Sequence, residues 1–189
     1  MQEVKKIIAI GPESTGKSTL CSKLAAHYNT VWCPEYAREY LLKNGTNYTF
    51  DDLLTIAKGQ VVLQEEYEKI ATQRWRTTGS KTLAPLLFAD TDMHVMKVWC
   101  AYVFGKVHPF ILEKIAESSA DMYLLCNVDQ PWVKDELREY PDLKSRKELY
   151  EIYKEILLNQ HVPWVDISGD YNQRLSIAVT ATNALINGN

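Results

Sequence analysis

The stretch GPESTGKST, residues 11–19, fits the pattern G-x-x-x-x-G-K-[ST], the spacing of a phosphate-binding loop. Each residue type has a chemical reason to be there. Gly11 and Gly16 let the backbone turn tightly enough for successive N–H groups to surround phosphate oxygens. Glu13, Ser14, Thr15 and Thr19 complete the nucleotide-binding loop. Lys17 is placed to reach the β- and γ-phosphates, and Ser18 to ligate Mg²⁺. The helix that follows adds the positive end of its dipole. The loop alone leaves the fate of the nucleotide open, because kinases, switches and motor-type ATPases share it.

Phosphoryl transfer further needs an acid for the metal, positive charge on the transferring group and a base for the attacking oxygen. Asp90 follows the apolar run LLFA, where a strand-end carboxylate can hold Mg²⁺ directly or through water. Asp92 is a candidate for the metal or for a substrate hydroxyl, and either aspartate can also cap the next helix. Glu35, at a strand-to-helix junction, is the candidate general base. Arg38 lies three residues on and can pair with Glu35 or touch phosphate or substrate.

Residues 129–147 carry Arg138, Lys144, Arg146 and Lys147 between a strand and a helix. This is the place of a lid that closes over ATP, excludes water and brings a guanidinium to the developing charge. Arg138 is the candidate for that role, and the later cations read as a solvated helix face. Trp99, Tyr102 and Phe104 cluster after the aspartates without singling out a stacking ring. The four histidines show no ligand spacing. Asn127-Val128-Asp129 lacks the lysine of a guanine-specificity motif, and no x-x-Gly follows Asp90. A GTP switch is therefore disfavoured, and residues 168–171 stand as the candidate for holding adenine.

The elements that must position these residues alternate along the chain. KKIIAI, before the loop, reads as a strand, and the segment from Ser18 puts Leu20 and Leu24 on one helical face. A short strand at residues 30–33 ends at Pro34, and a helix runs from about Tyr36 to Gly45. Thr49-x-x-Asp52 forms a capping box for a long helix that reaches about Trp75, with Gly59 either a weak point or a close contact. A polar turn at residues 77–81 precedes a strand from about Thr82, with Pro85 near its start where a ladder donor can be spared, that ends in Asp90-Thr91-Asp92. A helix to Gly105 and a shorter one from Pro109 follow. Strands at residues 122–127 and 162–168 flank the lid and a helix from about Ser145, and a last helix begins at Tyr171. This order predicts one α/β domain over residues 1–189: a P-loop NTPase fold with a five-stranded parallel sheet, helices on both faces and a short lid.

Composition narrows the classes. The 189 residues are 46% apolar with a formal net charge of −3, enough for a sizeable core and no general electrostatic reason to bind nucleic acid or anionic lipid. No apolar run nears the ~20 residues that span a bilayer. The N-terminal apolar run leads into the phosphate loop, so it reads as a strand and not a signal peptide. Cys21, Cys33, Cys100 and Cys126 form no C-x-x-C pair and read as buried thiols of a cytoplasmic protein.

Four blocks together resemble the ribosylnicotinamide kinase domain of the NadR family: G-x-E-S-[ST]-G-K-S from Gly11, E-Y-x-R-E from Glu35, D-T-D from Asp90 and P-W-x-x-D-x-L-R from Pro131. The resemblance implies transfer of the ATP γ-phosphate to the 5′-hydroxyl of nicotinamide riboside, giving nicotinamide mononucleotide in NAD salvage. It implies Glu35 and Arg38 beside the ribose, Asp90 and Asp92 near Mg²⁺ and the sugar, and residues 132–138 in the lid. Two departures stand out. The H-x-G-H signature of an adenylyltransferase is absent from these residues, so this chain alone is not expected to make NAD. Glu136 stands where the lid motif has glycine. The expectation is thus a Mg-ATP-dependent nucleoside kinase acting on a small-molecule nucleoside; the alternatives are an ATP-binding regulatory module and a kinase of another nucleoside.

Overall fold

Side chains that alternate along β1 (Lys5–Ile10) set up two cores. Ile8 and Ile10 enter one apolar cluster, and Ile7 and Ala9 enter another, as the two-residue period of a strand requires. The computed structural model describes residues 2–78 and 82–188. β2 (Val31–Cys33), β3 (Leu86–Asp90), β4 (Met122–Cys126) and β5 (Trp164–Ile167) join β1 in an all-parallel sheet of order β2-β3-β1-β4-β5. β1, β3 and β4 are buried on both faces for most of their length, which explains why their sequences are continuous apolar runs.

The order dictates which face each helix takes. After β1 the chain moves toward one edge to form β2, and every later crossover moves the other way. Right-handed crossovers therefore put the first helix on the opposite face from those that follow. α1 (Lys17–His27) accordingly packs with the C-terminal α7 (Tyr171–Asn187) on one face. α3 (Phe50–Thr77), α4 (Met93–Phe104) and α6 (Leu143–Leu158) cover the other. α2 (Tyr36–Asn44), α3, α4 and α5 (Pro109–Ala116) share a third cluster around Leu53, Ile56 and Met96. Because the connections from β1 and β3 leave on opposite faces, a crevice opens at the carboxyl ends of the sheet, where open α/β folds bind ligands.

The predicted elements are present, with shifted ends. The Thr49–Asp52 capping box starts α3. β3 begins only at Leu86, because Pro85 has no N–H to give the ladder; its carbonyl accepts from the Lys5 N–H at 2.8 Å. α6 starts at Leu143 behind an Asp142 cap, so the last part of the predicted lid is helix and the irregular connection covers residues 127–142. Of the predicted turn at residues 77–81, Thr77 closes α3 and Thr78 caps it, while residues 79–81 lie outside the described residues. Gly59 is a close contact: a Cβ there would lie 2.1 Å from the Tyr36 ring. All four cysteines are buried and free. Among the described residues, no helix is long and apolar enough to cross a membrane.

Candidate active site

Three neighbouring strands deliver the chemistry. β1 leads into the phosphate loop, β3 ends at Asp90, and β2 is followed by Glu35. All three open onto a cleft of about 550 Å³. Gly11 has φ 137° and passes so close to β4 that a Cβ would lie 2.7 Å from the Cys126 carbonyl oxygen, which demands glycine. Thr15 is buried and donates to the Pro12 carbonyl at 2.7 Å. The Lys17 ammonium lies over the loop, 3.0 Å from the carbonyls of Gly11 and Pro12.

Asp90 is 2% exposed. Its Oδ2 accepts a hydrogen bond from the Ser18 hydroxyl, while its Oδ1 is buried without a partner. Burial pushes its carboxyl up from the ordinary aspartate range, against the pull of Lys17 and the Ser18 hydrogen bond. A buried carboxylate oxygen with no donor beside a serine hydroxyl fits a hard divalent cation, so Ser18 and Asp90 have the right chemistry to hold Mg²⁺.

Glu35 is the N-cap residue of α2, yet its side chain makes no cap hydrogen bond, and it lines the cleft. Burial, then the charge of Asp90, push its carboxyl up to about 7, with Lys17 opposing. A carboxylate raised toward neutrality in a cleft is suited to accept a proton. The buried Gln60 of α3 holds the turn that carries it, accepting the Tyr36 N–H at 2.7 Å and donating to the Pro34 carbonyl at 3.3 Å.

Glu13, Ser14, Thr15, Gly16, Thr19, Arg38 and Arg138 also line the cleft. Arg38 pairs with Asp135 in a two-pronged bridge of 3.2 and 3.0 Å, not with Glu35. The 127–142 connection therefore reaches across the cleft to α2. Arg138 donates to the Val133 carbonyl and lies 5.9 Å from the Trp132 ring. Glu13, placed with the nucleotide-binding residues by its motif, accepts N–H bonds from Glu139 and Tyr140, and burial raises its carboxyl pKa.

Asp92 is not brought to the cleft. It is 6% exposed and caps α4, accepting from the His94 N–H at 2.8 Å. Its other oxygen accepts from the Tyr123 hydroxyl at 2.9 Å and lies 3.0 Å from His94 Nδ1. Thr91 between the two aspartates has φ 94°, a conformation a β-branched residue rarely adopts; with this kink in the backbone Asp90 lines the cleft and Asp92 lies in the core. Of the two readings of Asp92, the helix cap is the one this geometry displays.

Two supports carry no motif signal. One is Gln60. The other is Arg174, 3% exposed, whose guanidinium donates to the carbonyls of Thr15 at 2.8 Å, Gly169 at 2.8 Å and Asn127 at 2.9 Å, and to Asp129. It ties the phosphate loop to the β5–α7 loop, residues 168–170. Only the Asp170–Gln173 capping box marks this place in the sequence, and it announces a helix start and not a buried cation.

Comparison with known proteins agrees with this architecture. The chain is 30% identical over 175 residues to the trifunctional NAD biosynthesis/regulator protein NadR of Escherichia coli (strain K12), covering 90% of this chain and 40% of that protein. It thus spans about two fifths of the length of that relative. A crystal structure of NadR protein in complex with NR superposes with a TM-score of 0.70 at 22% identity, covering 97% of this chain and 51% of that one. Thymidylate kinase from Ehrlichia chaffeensis superposes with a TM-score of 0.61 at 14% identity, over 97% of this chain and 99% of that one. A family model described as AAA domain matches residues 6–174, and with its phosphate loop, acidic strand end and parallel sheet in place, the chain belongs to that family.

Proposed function

We propose that this chain is a single kinase domain that transfers the γ-phosphate of ATP to the 5′-hydroxyl of a ribonucleoside, and that the ribonucleoside is nicotinamide riboside. The observation that carries the reading is the convergence of Glu35 and Asp90, from adjacent strand ends, on the cleft that holds Lys17. A switch or motor needs the phosphate loop and the metal acid. A second carboxylate raised to about 7 across the cleft serves a reaction in which a hydroxyl must lose its proton. The four sequence blocks, the NadR relative and the NadR structure described as bound to NR support nicotinamide riboside as the acceptor.

In this mechanism the loop N–H groups and Lys17 hold the phosphates, and Ser18 and Asp90 would hold Mg²⁺. The metal, when bound, would supply positive charge that offsets the negative charge of the phosphates. Glu35 accepts the proton of the attacking hydroxyl, and Arg38 orients the sugar or the lid segment through Asp135. Arg138, on the 127–142 lid, brings positive charge to the transferring group, while closure excludes water as a competing acceptor.

The test is ADP release from MgATP with a panel of nucleosides. Release accelerated by nicotinamide riboside above the other nucleosides supports the reading. Equal release with and without any nucleoside would instead fit an ATP-binding regulatory module, and stimulation by a different nucleoside would move the acceptor.

A further inference from the structure

Glu13 stands in the phosphate loop at a position the general motif leaves open, yet its carboxylate binds across the cleft. It accepts the Glu139 N–H at 2.9 Å on one oxygen and 3.1 Å on the other, and the first oxygen also accepts the Tyr140 N–H. The two donors immediately follow Arg138 in the chain. On the other side of Arg138 the same loop makes a second attachment. Ser14 Oγ accepts the Val133 N–H at 3.0 Å, and the buried Arg146 guanidinium donates to the carbonyls of both Ser14 and Gln130 at 3.2 Å. Arg138 therefore rides on a stretch of main chain fastened to the phosphate loop at both ends.

We infer that Glu13 is a positioning residue for Arg138. By gripping the main chain at residues 139 and 140, its carboxylate fixes the guanidinium relative to phosphates held by the very loop that carries Glu13. Charge-assisted bonds from backbone N–H groups to a carboxylate are among the stronger polar contacts in proteins. Misplacement of a catalytic group by about 1 Å can cost on the order of 10²-fold in rate. The inference rests on the proposed role of Arg138 in transfer, and the experiment separates the two.

Steady-state kinetics of the full chain with MgATP and nicotinamide riboside are compared for Glu13→Ala, Glu13→Gln, Arg138→Ala and the Glu13→Ala/Arg138→Ala double variant. Arg138→Ala is expected to lower kcat about 100-fold. Glu13→Ala should lower kcat about tenfold or more with the KM for ATP within about threefold, and Glu13→Gln, which keeps length and one acceptor oxygen, should fall between it and the parent. The double variant should be within about twofold of Arg138→Ala, because a group that acts through another adds nothing once that other is gone. Effects that multiply in the double variant would overturn the inference. So would a raised KM for ATP at unchanged kcat, since Glu13 would then act on phosphate binding. If Arg138→Ala keeps the parent kcat, the role of Arg138 falls and takes the inference with it. Should Glu13→Ala not fold, Glu13→Gln and its double with Arg138→Ala make the same comparison.

Discussion

Glu35 is the residue on which the proposed chemistry turns, and its environment makes two predictions. As the proposed base it must take a proton during transfer. Glu35→Gln keeps the shape of the cleft but cannot accept that proton, so kcat should fall by about 100-fold or more while ATP affinity holds. Equilibrium ATP binding and single-turnover kinetics on the same preparation check both halves. The second prediction concerns the free protein. A carboxyl that titrates at 4.5 when exposed is pushed up to about 7 in the fold, so between those values the folded state binds the extra proton. Stability must then fall as pH rises from about 4.5 through about 7. Glu35→Gln lacks that slope and should be more stable than the parent at pH 8, by on the order of 1–2 kcal/mol after allowing for the residual solvent contact of Glu35. Denaturant melts at pH 5 and pH 8 measure the difference. Equal slopes for the two proteins would mean that Glu35 is not held in this way.

At the scale of elements, the site depends on helices that never touch a phosphate. α3 passes behind the β2–α2 turn, and there Gly59 leaves room for the Tyr36 ring while Gln60 bonds on both sides of Glu35. Gly59→Ala would put a methyl group into the Tyr36 ring. It should destabilise the fold by about 1–3 kcal/mol despite the better helix propensity of alanine, and because Tyr36 adjoins Glu35, kcat should drop as well. A thermal melt and a rate measurement on one variant suffice, and a gain in stability would show that the ring moves freely. The same scale shows where sequence reading succeeds and where it stops. The 3.6-residue and two-residue periods, the Thr49–Asp52 box and the glycine after α4 are local signals, so the elements and their order were legible. The pairing of Arg38 was not, because its partner Asp135 is 97 positions away and nothing near Arg38 selects it over Glu35. Spacing could not choose between the two readings of Asp92, for a local reason: the strained Thr91 between the two aspartates sends one to the cleft and the other to the core, and no spacing rule encodes that kink.

Across the whole molecule, the sheet order converts five strands into one crevice. β2, β3 and β1 end side by side, so Glu35, Asp90 and the phosphate loop meet although they lie far apart in the chain. A parallel α/β fold was predictable from the alternation of elements; the strand order was not, since periodicity says nothing about neighbours. Arg174 and Glu13 belong to this scale too. One ties the phosphate loop to the β5–α7 loop and the other ties it to the 127–142 connection, so the loop is the junction of the molecule as well as its proposed phosphate cradle. The most direct measurement is the ³¹P spectrum of a reaction containing the chain, MgATP and nicotinamide riboside. The account predicts that the γ-phosphate signal of ATP is replaced by a monoester resonance split by the two 5′-methylene protons, in amounts equal to the ADP formed. ADP accompanied by inorganic phosphate with no monoester resonance, or an unchanged ATP spectrum, would contradict it.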